Sequence, residues 1–141
     1  MTPRLDDMLC FALYNASRAM TAAYAPLLAE LGLTYPQYLV MLLLWEQDGL
    51  RVSAIGDRLE LDSATLTPLL KRLEARALVE RRRSTEDERV VEVFLTTAGK
   101  RIRKKADAVP QCIRERARLS LADVAALRTQ LAELTGKLRA D

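Results

Sequence analysis

The residues best suited to covalent chemistry are two cysteines, Cys10 and Cys112, about a hundred positions apart. There is no CxxC pair, which excludes thioredoxin-type and zinc-knuckle chemistry. The chain has no histidine, so the commonest general base and the commonest metal ligand are missing. Neither a metal nor a cofactor is expected, and no enzymatic activity. In a reducing compartment two such cysteines are small buried hydrophobes or a redox device, not a permanent crosslink.

A second set of residues suits a polyanion. Arg81-Arg82-Arg83 is followed by Asp87 and Arg89 in an Asp-x-Arg pattern. An aspartate can hold a neighbouring arginine rigid, so that it enters a narrow DNA minor groove at lower entropy cost. Upstream, Ser63, Thr65 and Thr67 offer hydroxyls for bases and phosphates, and Lys71, Arg72 and Arg76 extend a basic flank. Pro68, placed in the first turn of its helix, would offer an apolar ring to a thymine methyl. A merely solvated helix face and hairpin is the bland alternative. It leaves unexplained why like charges crowd one hairpin.

The elements that must position these groups follow from periodicity and caps. Residues 6–31 read as one helix, with Leu9, Leu13, Ala16, Met20 and Ala23 at spacings of three and four. Asp6 or Asp7 caps it, Pro26 bends it and Gly32 ends it. Thr34 and Gln37 form a capping box around Pro36. The helix they open runs through Met41-Leu42-Leu43-Leu44-Trp45, apolar nearly all round and therefore central, and Gly49 ends it. Val52 to Leu59 is a short helix, with Ile55 and Leu59 inward. A second helix, Ser63 to Ala77, is capped by Asp62 or Ser63 and carries Leu66, Leu69, Leu70, Leu73 and Leu78 as its apolar stripe. Strands at 79–83 and 89–95 flank the polar tip 84–88. Thr96 or Thr97 opens a long helix to about Arg118, kinked at Pro110, and Ser120 caps a last one, Leu121 to Leu138.

The expected fold is mainly α with a small β-hairpin wing. It is one domain over residues 1–141, in which 52–95 form a winged helix-turn-helix. Its second helix enters a major groove of double-stranded DNA while the hairpin touches the neighbouring backbone or minor groove. With 141 residues, half of them apolar, the chain can build one core. A net charge of +3, from 22 basic and 19 acidic residues, suits nucleic acid only if the charge is placed locally. No signal peptide or membrane span is apparent, so a cytoplasmic location without membrane association is expected.

The span from Leu61 to Glu74, with Ser84-Thr85-Glu86-Asp87-Glu88-Arg89, resembles the MarR family of winged-helix repressors. Leu9-Cys10-Phe11-Ala12-Leu13-Tyr14, Tyr35-Pro36-Gln37-Tyr38-Leu39 and Leu42-Leu43-Leu44-Trp45-Glu46 bring it closer to the organic hydroperoxide sensors of that family. The resemblance covers nearly the whole chain. It implies a homodimer interlocked through helices in 6–31 and 98–138, bound to a near-palindromic operator. The last helix agrees, since Leu121, Val124, Leu127, Leu131, Leu134 and Leu138 exceed what one small core can bury.

The resemblance further implies that Cys10 is the peroxide-sensing thiol, oxidised first to a sulfenic acid, with an organic hydroperoxide as effector. It implies that Tyr24 and Tyr35 hydrogen-bond its thiolate, and that Cys112 resolves it as an intersubunit disulfide. Cys10 falls in the first turn or so of its helix, where the dipole favours an anion. Tyr24 lies fourteen residues on, about 21 Å along a straight helix. It must therefore meet the partner's cysteine if it meets one; Tyr14 is the intrachain neighbour. Three alternatives stand beside this reading: a repressor released by a small aromatic ligand without a thiol switch, a thiol peroxidase, and an architectural DNA binder.

Overall fold

A computed structural model describes residues 2–141. Leu5–Asp7 forms a single 3-10 turn, closed by Asp7 N–H on the Arg4 carbonyl at 3.0 Å and Met8 N–H on the Leu5 carbonyl at 3.1 Å. Helix α1 then runs Leu9–Ala29, with Met8 at its N-cap and no side-chain cap. The expected cap by Asp6 or Asp7 is corrected here: both aspartates are used up in the preceding turn, and α1 starts later. Pro26 lies inside α1. The end follows expectation: Gly32 is left-handed at φ +68, and the N–H groups of Gly32 and Leu33 return to the Ala29 and Leu28 carbonyls.

Helix α2, Tyr35–Glu46, begins with the expected capping box, in which the Thr34 hydroxyl accepts from Gln37 N–H and the Gln37 side chain accepts from Thr34 N–H. Val40, Met41, Leu44 and Tyr38 are at most 2% exposed, so α2 is the core of the fold. It packs against α1, against α3 (Val52–Leu59), against α4 (Ser63–Ala75) and against β3 (Val91–Leu95). Leu66, Leu69, Leu70 and Leu73 of α4 are buried with Leu78. Ile55 is buried in α3, and Leu59 is half-buried.

The wing holds more than the expected hairpin. β2, Val79–Arg83, pairs with β3 in register Val79↔Leu95 to Arg83↔Val91. A two-residue strand β1, Leu50–Arg51, pairs with β3 on its other side. The order is β1-β3-β2, all antiparallel. The Asp48 carboxylate fixes the entry to β1, accepting from Gly49 N–H at 3.0 Å and from Leu95 N–H at 2.8 Å.

The helix expected to run from 98 to 118 is three segments instead: α5 Thr97–Arg101, α6 Arg103–Ala106 and α7 Val109–Ala117. Thr96 is the cap, accepting from Gly99 N–H. Pro110 lies in the first turn of α7, not inside a helix. Its ring excludes a continuing turn and its missing N–H leaves the Ala106 carbonyl without an α-helical donor, so the chain restarts at Val109. Gly99 is required by close approach, because a Cβ there would collide with the Leu78 carbonyl oxygen. The Trp45 indole N–H donates to the Gly99 carbonyl at 2.9 Å and Arg103 Nη1 donates to the Trp45 carbonyl at 3.1 Å, joining α2 to α5 and α6.

The chain divides into two compact units, Met1–Asp107 and Ala108–Asp141. In the second, α7 is followed by α8, Leu121–Arg139, which opens with a capping box between Ser120 and Asp123. Helix α8 has no buried residue, and Leu121, Leu127, Leu131 and Leu138 are all exposed. Among the described residues no helix is long and apolar enough to cross a membrane.

Leu73 is fully buried, and its truncation leaves a cavity that a close-packed core closes only in part. Leu73→Ala is expected to lower the unfolding free energy by about 2–5 kcal/mol in urea titration at fixed protein concentration. A shift under about 0.5 kcal/mol, the scale of a surface change, would contradict the core placement.

Candidate nucleic-acid interface and thiol site

Helix α4 is capped by Asp62, whose carboxylate accepts from Thr65 N–H at 2.8 Å. That bond holds the Asp62 carboxyl below its usual range. The Ser63 hydroxyl is thereby left for other partners. Ser63, Thr65, Pro68, Lys71 and Arg72 of α4 are exposed, its four leucines are buried, and Thr67 is half-buried. Pro68 is the sixth residue of α4, so the first-turn expectation is corrected to the second turn. There it deprives the Ala64 carbonyl of its helical donor. The cost is limited because Ala64 is exposed to solvent.

Two of the expected basic residues are engaged elsewhere. The Arg76 guanidinium lies over Gly32, where a Cβ would collide with it, and so sits at the α1–α2 turn. Arg81 joins the wing to α4: the Glu74 carboxylate accepts from Arg81 N–H at 3.0 Å, Nε at 3.4 Å and Nη2 at 3.2 Å. Arg82 pairs with Glu80 at 3.2 Å and stacks over the Phe94 ring at 4.5 Å. Arg83 donates to the Glu88 carbonyl at 2.9 Å. The arginine triplet is therefore largely built into the wing, not a row of free cations.

Asp87 and Arg89 are arranged as the Asp-x-Arg pattern requires. Asp87 Oδ1 accepts from Arg89 N–H at 3.0 Å and Nε at 3.2 Å, while Oδ2 accepts from Nη2 at 3.3 Å. The Arg89 side chain is 90% exposed, yet three bonds orient it. Bonding from Arg89, with the Arg51 charge adding, keeps the Asp87 carboxyl low and ionised. An oriented, solvent-projecting guanidinium at a hairpin tip is what insertion into a groove needs.

Cys10 is the second residue of α1 and is exposed; Cys112, in α7, is also exposed, and both are free thiols. Tyr24 and Tyr35 form a ring pair with centroids 5.2 Å apart. Sequence reasoning missed their third member, Tyr38, which lies 5.8 Å from Tyr24 and 6.5 Å from Tyr35. Its signal was only that of a core aromatic beside Gln37. Burial, then the neighbouring Tyr35, raises Tyr24; burial first, then Tyr24, raises Tyr38 to about 12. These hydroxyls remain protonated donors at neutral pH. Cys10 and Tyr24 share the one helix α1, which keeps them about 21 Å apart within a chain.

A helix-turn-helix followed by a sheet with a held tip arginine defines the winged-helix class. The family described as transcriptional regulator SarA/Rot matches residues 22–107. Over 136 residues the chain is 50% identical to the HTH-type transcriptional regulator TtmR of Methylorubrum extorquens, covering 96% of this chain and 70% of that one. It is 48% identical over 128 residues to the organic hydroperoxide resistance transcriptional regulator of Bacillus subtilis, covering 91% and 87%. Reduced AbfR bound to DNA superposes with a TM-score of 0.81 at 37% identity, covering 96% and 93%; AbfR, a protein of Staphylococcus epidermidis, is also known overoxidised on DNA and in a disulfide form. The chain belongs to the SarA/Rot transcriptional regulators, winged-helix proteins of the MarR type.

The Glu74–Arg81 tie fixes a pH dependence. The bonds from Arg81 lower the Glu74 carboxyl below its ordinary 4.5. Its contribution to stability is therefore present above 4.5 and lost as pH falls through the depressed folded value. Both side chains are partly exposed, so the contribution is modest. In urea titrations across acidic pH, the stability gap between wild type and Glu74→Gln should be flat above 4.5 and shrink below it. A gap that grows on acidification would count against the tie.

Proposed function

We propose that the chain is a homodimeric repressor that binds a near-palindromic operator in double-stranded DNA and lets it go when an organic hydroperoxide oxidises Cys10. The observation that carries this reading is the exposed Cys10 thiol in the first turn of α1. Likeness to a hydroperoxide resistance regulator over nearly the whole chain supports the choice of oxidant, and the several redox forms of AbfR support a thiol switch.

In the reduced dimer, the hydroxyls of Tyr24 and Tyr35 donate to the thiolate of the partner subunit's Cys10, across antiparallel α1 helices. The thiolate attacks the hydroperoxide, overall RSH + R′OOH giving RSOH + R′OH, the peroxide O–O bond breaking as the S–O bond forms. The sulfenic acid then condenses with the thiol of the partner subunit's Cys112, giving a disulfide and water. One peroxide is consumed per thiol, so the chain acts as a switch and not as a turnover catalyst. Its thiols are kept reduced in the cytoplasm. Ser63, Thr65, Thr67, Pro68, Lys71 and Arg72 bind bases and phosphates at the major groove, and Arg89, held by Asp87, enters the minor groove. Arg76 and Arg81 support these elements. Release follows only because the oxidised form binds DNA less tightly than the reduced one.

Fluorescence anisotropy on duplex from upstream of the chain's own gene, at one fixed salt concentration, tests the switch. Wild type should lose the operator on adding an organic hydroperoxide, and Cys10→Ser should keep it. Equal behaviour of the two would favour release by a small aromatic ligand instead. Cys112→Ser should still be oxidised at Cys10 yet give no crosslinked dimer on a non-reducing gel; a crosslink in that variant would remove Cys112 from the mechanism.

A further inference from the structure

Between α4, the start of α3 and the wing lies a cleft of about 330 Å³, lined in part by Arg51 and Ser53, which belong to neither the recognition helix nor the wing tip. Arg51, Arg81 and Arg89 line it with the Ser53 and Thr67 side chains, over an apolar floor that includes Leu70. No carboxylate is part of the lining. Arg81 and Arg89 each have a counter-ion outside it, Glu74 and Asp87. Arg51 has none within 4 Å among the described residues: Glu92, its cross-strand partner, and Asp87 are the nearest acidic groups by register and by charge, and neither pairs with it. The Ser53 and Thr67 hydroxyls make no hydrogen bond within the described residues.

The polar side chains of the cleft are therefore guanidiniums and hydroxyls able to donate, with one uncompensated positive charge. That donor set fits a tetrahedral oxyanion. The location narrows the anion. Helix α4 and the wing tip address adjacent grooves, and between a major and a minor groove of a duplex there runs one sugar-phosphate strand. The cleft is lined from both elements, by Thr67 and Leu70 of α4 and by Arg81 and Arg89 of the wing, so on the DNA-binding reading that strand passes it.

We propose that this cleft seats one phosphodiester group of the DNA backbone, with Arg51 as its principal ligand and Ser53 and Thr67 as hydroxyl donors. The inference rests on the DNA-binding reading above and adds a residue outside both the recognition helix and the hairpin. A phosphate there carries no sequence information. It sets the register in which α4 and Arg89 meet their grooves.

The test uses the full-length protein and the same upstream duplex, with an unrelated duplex of equal length beside it. Arg51 is exposed, so Arg51→Gln should fold, which circular dichroism checks. Its affinity should fall several-fold, by the same factor on both duplexes. The slope of log K against log salt should flatten by about 0.9 per lost phosphate contact, about 1.8 for a dimer. In a methylphosphonate scan of the operator, Arg51→Gln should be indifferent at one position per half-site that weakens wild type, and should follow wild type at every other. Arg51→Lys should recover part of the slope. An unchanged slope and an identical scan in Arg51→Gln would overturn the proposal. Inorganic phosphate, at matched ionic strength, should compete no better than chloride; competition seen in wild type and lost in Arg51→Gln would reassign the cleft to a free phosphate. If wild type itself binds neither duplex at low salt, it is the DNA-binding reading that fails, before any variant is compared.

Discussion

The burial of α2 on nearly every side is the constraint that the first unit is built around. A helix with Val40 and Met41 wholly out of water must find partners in the chain for those polar groups that it buries. At the N-terminus, Thr34 and Gln37 satisfy each other, which is why a glutamine can be 5% exposed without penalty. At the C-terminus, the Trp45 indole and carbonyl are taken by Gly99 and Arg103. Those two bonds bring the segment after the wing back onto the core. They need Gly99 to be a glycine, because the Leu78 carbonyl occupies the space of a side chain there. The path from α2 through α4 and the wing to α5 is thus closed on itself, and the wing cannot swing freely about either of its ends.

Within that closed path α4 serves two opposed demands. Its leucines must stay buried, while the opposite side must stay polar and free. The sequence meets this by periodicity, but placing the wing beside α4 needs something more specific. The Glu74 carboxylate takes both the backbone and the guanidinium of Arg81, so the angle between helix and sheet is set by a charged bond at the base of the wing. Positive charge on this surface is consequently divided by role. Arg81 and Arg82 hold structure through Glu74 and Glu80, Arg89 is oriented by Asp87, and Arg51 is left uncompensated. Net charge alone, at +3, says little about such a division. Its local arrangement says which cations are available to a polyanion.

Local rules carried the reading of the sequence wherever one residue's chemistry settles its neighbours. The capping box at Thr34, the cap at Ser120, the leucine stripe of α4, the turn at Gly32 and the Asp87–Arg89 fork are all of that kind. The misses share a different cause. Strand β1 has two residues, too few for any alternation to register, and exists because Asp48 and β3 receive it. Asp6 and Asp7 look like caps by type, but a turn two residues earlier consumes them. Arg76 and Arg81 are indistinguishable from solvated cations until Gly32 and Glu74 are seen beside them. Tyr38 stands three residues from Tyr35 within α2, but it meets Tyr24 only through the packing of α1 on α2, a relation that spacing along one helix cannot express.

The sensing site has a geometric consequence of its own. Helix α1 is continuous from Leu9 to Ala29, and a continuous helix cannot fold Cys10 back onto Tyr24. If the tyrosine hydroxyls stabilise a sensing thiolate, the site is complete only when two chains are present. The exposed leucines of α8 are apolar surface of the kind that a second chain covers. On the proposed mechanism, this arrangement makes oxidation and dimer geometry a single event. Changing the charge and hydrogen bonding at Cys10 alters a contact between subunits, and the spacing of the two α4 helices is itself a property of how the subunits meet. No relay through the core of either subunit is then required, since the bistable element is the interface and both the thiol and the DNA bias it directly.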